Sequence, residues 1–151
     1  MGNALRGRAP VRIMRAGEAD NVGLIQEICR AAVVALPLVR WPVDLPRDQA
    51  PELVWRYMTS RRYLEEMELQ VIRLPRAFVL DSSHDCKSSA VFAAAMLNAA
   101  GYSVVLRFVT QPERPWWSHV YCVADGVAVD PLLPLGREVD YLQRFDYNPT
   151  R

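Results

Sequence analysis

Between Gly17 and Leu36 the apolar residues fall at Val22, Ile25, Ile28, Cys29, Ala32, Val33 and Leu36. Steps of three and four residues put them on one face of a helix. Glu18 and Asp20 stand near its start, where the helix dipole favours acids, and Pro37 should end it. Pro42, Pro46 and Pro51 punctuate the loop around Trp41 and Leu45. Leu53, Val54, Tyr57 and Met58 then give a second helix its apolar stripe, with Asp48 as the expected cap and Pro51 in the first turn. The charged run 61–68 reads as continued helix or turns, and 71–75 as a short extended piece.

The second half carries stronger signals. Ser82 and Ser83 offer a cap for an Ala-rich helix over 87–100, and Gly101 suits its left-handed end. Residues 102–110 predict a buried strand and 111–115 a loop. Residues 117–123 predict a second strand, 124–126 a tight hairpin turn, and 127–130 a third strand. Helices come first, and then one helix feeds an antiparallel sheet, which is α+β architecture. Residues 1–16, with Arg6, Arg8, Arg12 and Arg15, read as a flexible basic arm, and 17–151 as a single domain.

Composition narrows the function. With 151 residues, 51% of them hydrophobic, the chain can bury a core without disulfides or metal. Eighteen basic and 17 acidic residues leave a charge of +1, which argues against binding nucleic acid by bulk charge. The longest apolar stretch, 31–39, is broken by Pro37 and too short to span a bilayer, so a soluble cytoplasmic protein is expected. Three cysteines without a CxxC pair are neither a disulfide framework nor a zinc set. Lys87 is the only lysine in the chain.

Three residues stand out by position. Cys86 opens the Ala-rich helix, His119 lies on the second strand, and Asp130 closes the third. A free thiol titrates at about 8.5, and a helix N-terminus or an adjacent imidazolium stabilises the thiolate. Backbone N–H groups at the helix start can hold an oxyanion. His119 would move the proton, and Asp130 would fix the imidazole tautomer. Pairing about the 125–126 turn sets residue 119 opposite a position near 131, so His119 and Asp130 can be neighbours. Each of these residues also has a plainer reading. Cys29 and Cys122 fit as buried, inert thiols. His84 is the rival base, or a histidine without a role. Asp85 also reads as a favoured first-turn carboxylate and nothing more, and Asp130 before Pro131 as a turn former. Lys87 either adds positive potential beside the thiol or faces solvent or a phosphate. Ser83 donates to an oxyanion or only caps the helix. Trp116 and Trp117 form either a substrate wall or core, and Glu113 and Arg114 read as solvated loop charges.

The run Asp85-Cys86-Lys87-Ser88-Ser89, the helix ending at Gly101, Ser118-His119-Val120-Tyr121, and Val129-Asp130-Pro131 together resemble the transglutaminase-like superfamily, with Cys, His and Asp in this chain order on a papain-like fold. Trp55, Tyr63, the 71–75 piece and a Glu138 to Tyr147 tail resemble its small bacteriophage and bacterial members. The resemblance covers roughly residues 50–147. The chain departs from it at His84, where many members carry Gly, and at 126–128, where many carry Trp. The resemblance implies a thiol hydrolase, peptidase or amidase, with Cys86, His119 and Asp130 catalytic and no cofactor. It acts on a peptide or protein substrate. The alternatives it leaves are a cross-linking transglutaminase, or a non-catalytic assembly module that partners phage virion proteins.

Overall fold

The structure, a computed structural model, describes residues 11–15, 21–65, 69–81 and 83–151. Its organising element is the helix α4 (Cys86–Ala99). Ala90, Ala93, Ala94 and Ala95 favour helix, and their small side chains let neighbours approach from several sides. Lys87 to Ala95 are all buried, so this helix lies inside the molecule. The helices α1 (Asn21–Ala35), α2 (Ala50–Thr59) and α3 (Pro75–Leu80) pack on it, as do the strands β3 (Leu69–Arg73), β5 (Val104–Gln111) and β6 (Arg114–Ala124). Gly101, at φ 99°, ends α4. The Gly101 N–H donates to Asn98 O and the Tyr102 N–H to Leu97 O, both at 3.0 Å, as in a Schellman end.

Strands β5 and β6 form the centre of an antiparallel four-stranded sheet in the order β7-β6-β5-β8, completed by β7 (Val127–Val129) and β8 (Gln143–Tyr147). Val104, Leu106 and Phe108 of β5 and Val120, Cys122 and Ala124 of β6 bury themselves in the main core with Leu97 and Val91 of α4. The β6–β7 turn has Asp125 at φ 46° and Gly126 at φ 81°, the paired left-handed residues of a type I′ hairpin. On the other side of the sheet Arg107 holds Asp146 through two 2.9 Å hydrogen bonds and also contacts Glu138, whose Oε1 accepts the Tyr121 hydroxyl at 2.7 Å. This network fastens the tail segment to the sheet. The combination of helices and antiparallel sheet is α+β.

Several expectations change. Residues 11–15 of the expected arm form β1 (Val11–Arg15), paired antiparallel with β3. Asp48 does not cap α2: a 3-10 turn (Arg47–Gln49) runs straight into the helix, and Ala50 N–H donates to Arg47 O. Within the charged run lies β2 (Arg62–Tyr63), parallel to β4 (Ser83–His84); residues 66–68 lie outside the described part. Ser83 is a strand residue opposite Arg62, not the cap of α4, and Ser82 lies outside the described residues. Pro75, read as the end of an extended piece, instead opens α3, because its fixed φ suits a first helical turn. The predicted 111–115 loop shrinks to a turn at 112–113, with β6 starting at Arg114. Among the described residues no helix is long and apolar enough to cross a membrane.

Candidate active site

Cys86 is the first residue of α4 and is partly exposed. Asp85 precedes it as the N-cap, in extended backbone, and its Oδ1 accepts the N–H groups of Lys87 (3.1 Å) and Ser88 (3.3 Å). Short strands fix this corner. Ser88 Oγ, in turn, accepts the Arg73 N–H at 2.9 Å, tying the helix start to β3.

His119 and Asp130 arrive from the sheet. His119 Nε2 lies 2.6 Å from Asp130 Oδ2. A carboxylate only accepts, so Nε2 carries the proton and Nδ1 is the nitrogen left for Cys86. Asp130 is fully buried and is itself held: Oδ1 accepts the Leu132 N–H at 3.0 Å, and its backbone carbonyl accepts the Trp55 indole N–H at 3.2 Å. The same indole also donates to Leu133 O at 2.8 Å, so α2 anchors the loop after β7. Burial disfavours the charged form of His119, but its hydrogen bonds to Asp130 and Cys86, with their charges, outweigh that and push its pKa up to about 10. The ring therefore holds its second proton at neutral pH, and it lines the same cavity as Cys86.

A β-bulge aims this part of β6. Consecutive residues Val109 and Thr110 pair with His119 and Trp117, leaving Ser118 as the extra residue. The alternation of faces is broken there, and Trp117, Ser118, His119 and Val120 all line one cavity beside Cys86. Its volume is about 170 Å3. Leu24, Ile25 and Ile28 of α1 give it an apolar wall. Two ion pairs give it a polar one: Asp85 with Lys87, and Glu65 with Arg114 at 3.0 Å.

The other singled-out residues separate from this centre. His84 is buried: its Nε2 donates to Met58 O at 3.1 Å, its Nδ1 meets Ser89 Oγ, and its ring packs on Phe78. Burial lowers its pKa, so it is a neutral ring with both nitrogens engaged inside the core. Cys29 is buried on α1, its pKa pushed up to about 11 by burial, and Cys122 is buried in β6 and shifted up for the same reason. Ser83 is not on the cavity wall, and the Trp116 side chain lies outside the described part. Lys87, read either as adding positive potential beside the thiol or as facing solvent or a phosphate, is buried and paired with Asp85.

One contact escapes a reading of the site from motifs alone: Trp55 holds Asp130. The pattern of its own segment points elsewhere, to a helix stripe. Arg114, read as a solvated loop charge, lies on the cavity wall. Among the described residues no group of three or more His, Cys, Asp or Glu could hold a metal ion. Comparison of the chain with protein-family models, with curated proteins and with solved structures finds no match.

Proposed function

We propose that this protein is a thiol hydrolase of the transglutaminase-like kind, on a papain-like fold, cleaving an amide bond through a thioester. The observation that carries the reading is His119, bonded to Asp130 through one ring nitrogen and lining one open cavity together with Cys86, the first residue of α4.

The steps follow from the residues. The Cys86 Sγ attacks as the thiolate of a thiolate–imidazolium pair with His119, and the carbonyl π pair moves onto oxygen. When the tetrahedral adduct collapses, the C–N bond breaks and His119 gives its proton to the departing amine. Water then attacks the thioester, His119 takes a proton from it, the C–S bond breaks, and the acid is released with the thiolate and the imidazolium restored. Asp130 keeps the ring oriented and stabilises its charge throughout. The cavity is smaller than the roughly 300–1,000 Å3 of sites for small-molecule ligands, which suits one side chain of a peptide substrate.

The test is site-resolved alkylation with iodoacetamide at pH 6, read by mass spectrometry of the folded protein. Cys86 should react faster than a free thiol, Cys29 and Cys122 should be protected, and His119→Ala should slow Cys86. Equal sluggishness at all three thiols would leave a non-catalytic assembly module as the better reading.

A further inference from the structure

The cavity beside Cys86 has a charged wall and an apolar wall, and both disfavour a charged guest. Among the described residues, each charged side chain on it has a partner of opposite sign. Asp85 and Lys87, both buried, pair with each other, and Glu65 pairs with Arg114 at 3.0 Å. His119 is bonded to Asp130 at 2.6 Å. Ser118 Oγ donates to Gln111 Oε1 at 3.1 Å. A charged substrate group entering here would give up water and meet no counter-ion unless it broke one of these pairs.

The rest of the wall is apolar. Leu24, Ile25 and Ile28 share one side of α1, since residues three and four apart are neighbours on a helix surface. Ile28 is buried, whereas Leu24 and Ile25 pack on the core but stay partly exposed at the cavity. Phe108 and Val120 reach it from the main core, and Trp117 adds a ring with a single N–H. The volume of about 170 Å3 is close to that of an engineered cavity of about 150 Å3, lined by Leu, Ile and Phe, that takes up benzene; there is room for about six carbon atoms. In the thioester only the acyl part of the substrate stays bonded to Cys86, so the side chain held beside the sulfur is the one next to the scissile carbonyl. We propose that this cavity is a specificity subsite for an uncharged aliphatic side chain on the residue that supplies that carbonyl, selected by Leu24, Ile25 and Ile28. The assignment rests on the thiol-hydrolase reading.

A series of p-nitrophenyl esters reads the subsite. In acylation Cys86 Sγ bonds to the acyl carbon, the ester C–O bond breaks, and p-nitrophenolate leaves. The leaving group is the same throughout, so single-turnover rates report the acyl chain. From acetate to hexanoate the rate should rise by up to about fourfold per buried methylene, and by about tenfold or more in all. Esters of similar length that end in a charge, mono-p-nitrophenyl adipate and p-nitrophenyl 6-aminohexanoate, should react at least about tenfold more slowly than the hexanoate. In Ile25→Asp the hexanoate-to-acetate ratio should fall to about twofold or less, and the 6-aminohexanoate should overtake the hexanoate. Ratios taken within one protein cancel any partial loss of folded material, and the wild-type series decides alone if the variant does not fold. Wild-type rates that are flat or falling with chain length, or fastest with a charged ester, overturn the subsite and leave the hydrolase reading standing, as does an unchanged ratio in folded Ile25→Asp. Wild-type protein that no ester acylates overturns the subsite, and with three equally sluggish thiols it overturns the hydrolase reading as well.

Discussion

Replacing Lys87 by Met tests how the start of α4 is built. The Lys87 ammonium is 7% exposed and contacts Asp85 Oδ2, whose own side chain is 1% exposed. Removing one partner of such a buried pair typically costs about 3–5 kcal/mol, because a charge is left without its counter-ion. Here the stranded carboxylate keeps the N–H groups of Lys87 and Ser88, and a helix N-terminus in a buried setting offsets up to about 2 kcal/mol. With the full offset the expected loss is about 1–3 kcal/mol, or roughly 2–12 °C in Tm at about 2–4 °C per kcal/mol for a domain near this size. The double change Asp85→Asn with Lys87→Met removes both charges and keeps a capping side chain, so it should be more stable than Lys87→Met alone. Urea unfolding followed by Trp fluorescence measures all three proteins. A Lys87→Met loss below about 0.5 kcal/mol, with the double variant no better, would refute the buried pair as the feature that sets this corner.

The titration of His119 gives a pH signature. Its folded pKa of about 10 exceeds the ordinary value of about 6.5, so its stabilisation is complete below about 6.5 and is lost as pH rises towards 10; His119→Gln should flatten that alkaline decline in urea-unfolding series. His84 has the opposite sign: its folded pKa is lowered, so its contribution is present above about 6.5 and is lost as pH falls through that value, and His84→Gln should weaken the acid-side dependence. Trp55→Phe removes the indole donor to Asp130 O and Leu133 O; it should lower the acylation rate more than it lowers Cys86 alkylation at pH 6, and equal rates would deny Trp55 a positioning role. Gly126→Ala meets no atom within 4 Å of the added methyl, so only the left-handed backbone opposes it, and a loss of about 1–2 kcal/mol in unfolding experiments is expected.

The parts legible in the sequence are those specified by local chemistry. The periodic apolar face of 17–36 corresponds to α1 over its described residues, and alanine content with Gly101 locates α4 to within one residue at each end. The strand, turn and strand around Asp125-Gly126 follow from residues that accept positive φ. What escaped depends on partners distant in the chain. β8 is an edge strand of exposed Gln143, Arg144, Phe145 and Asp146, and it exists because Arg107 and β5 hold it. β1 and β2 likewise need β3 and β4 as partners. At the site, the closeness of His119 to Asp130 is readable because hairpin pairing about a short turn is local. Trp55 acts on Asp130 across 75 positions, and no spacing rule reaches that far.

The burial of Cys29 has a use unconnected with chemistry. Cys29 is 9% exposed on α1, the helix whose Leu24, Ile25 and Ile28 wall the cavity, whereas Cys122 is fully buried in the middle of the sheet. A thiol reagent in large excess modifies a buried cysteine only during openings, at a rate set by how often its element separates from its neighbours. Cys122 is freed only when β6 leaves β5 and α4, so its labelling follows global unfolding. Cys29 is freed whenever α1 lifts. The ratio of the two labelling rates therefore counts the excursions in which the cavity loses one wall while the sheet stays folded, giving the protein an internal clock for the breathing of its own candidate site.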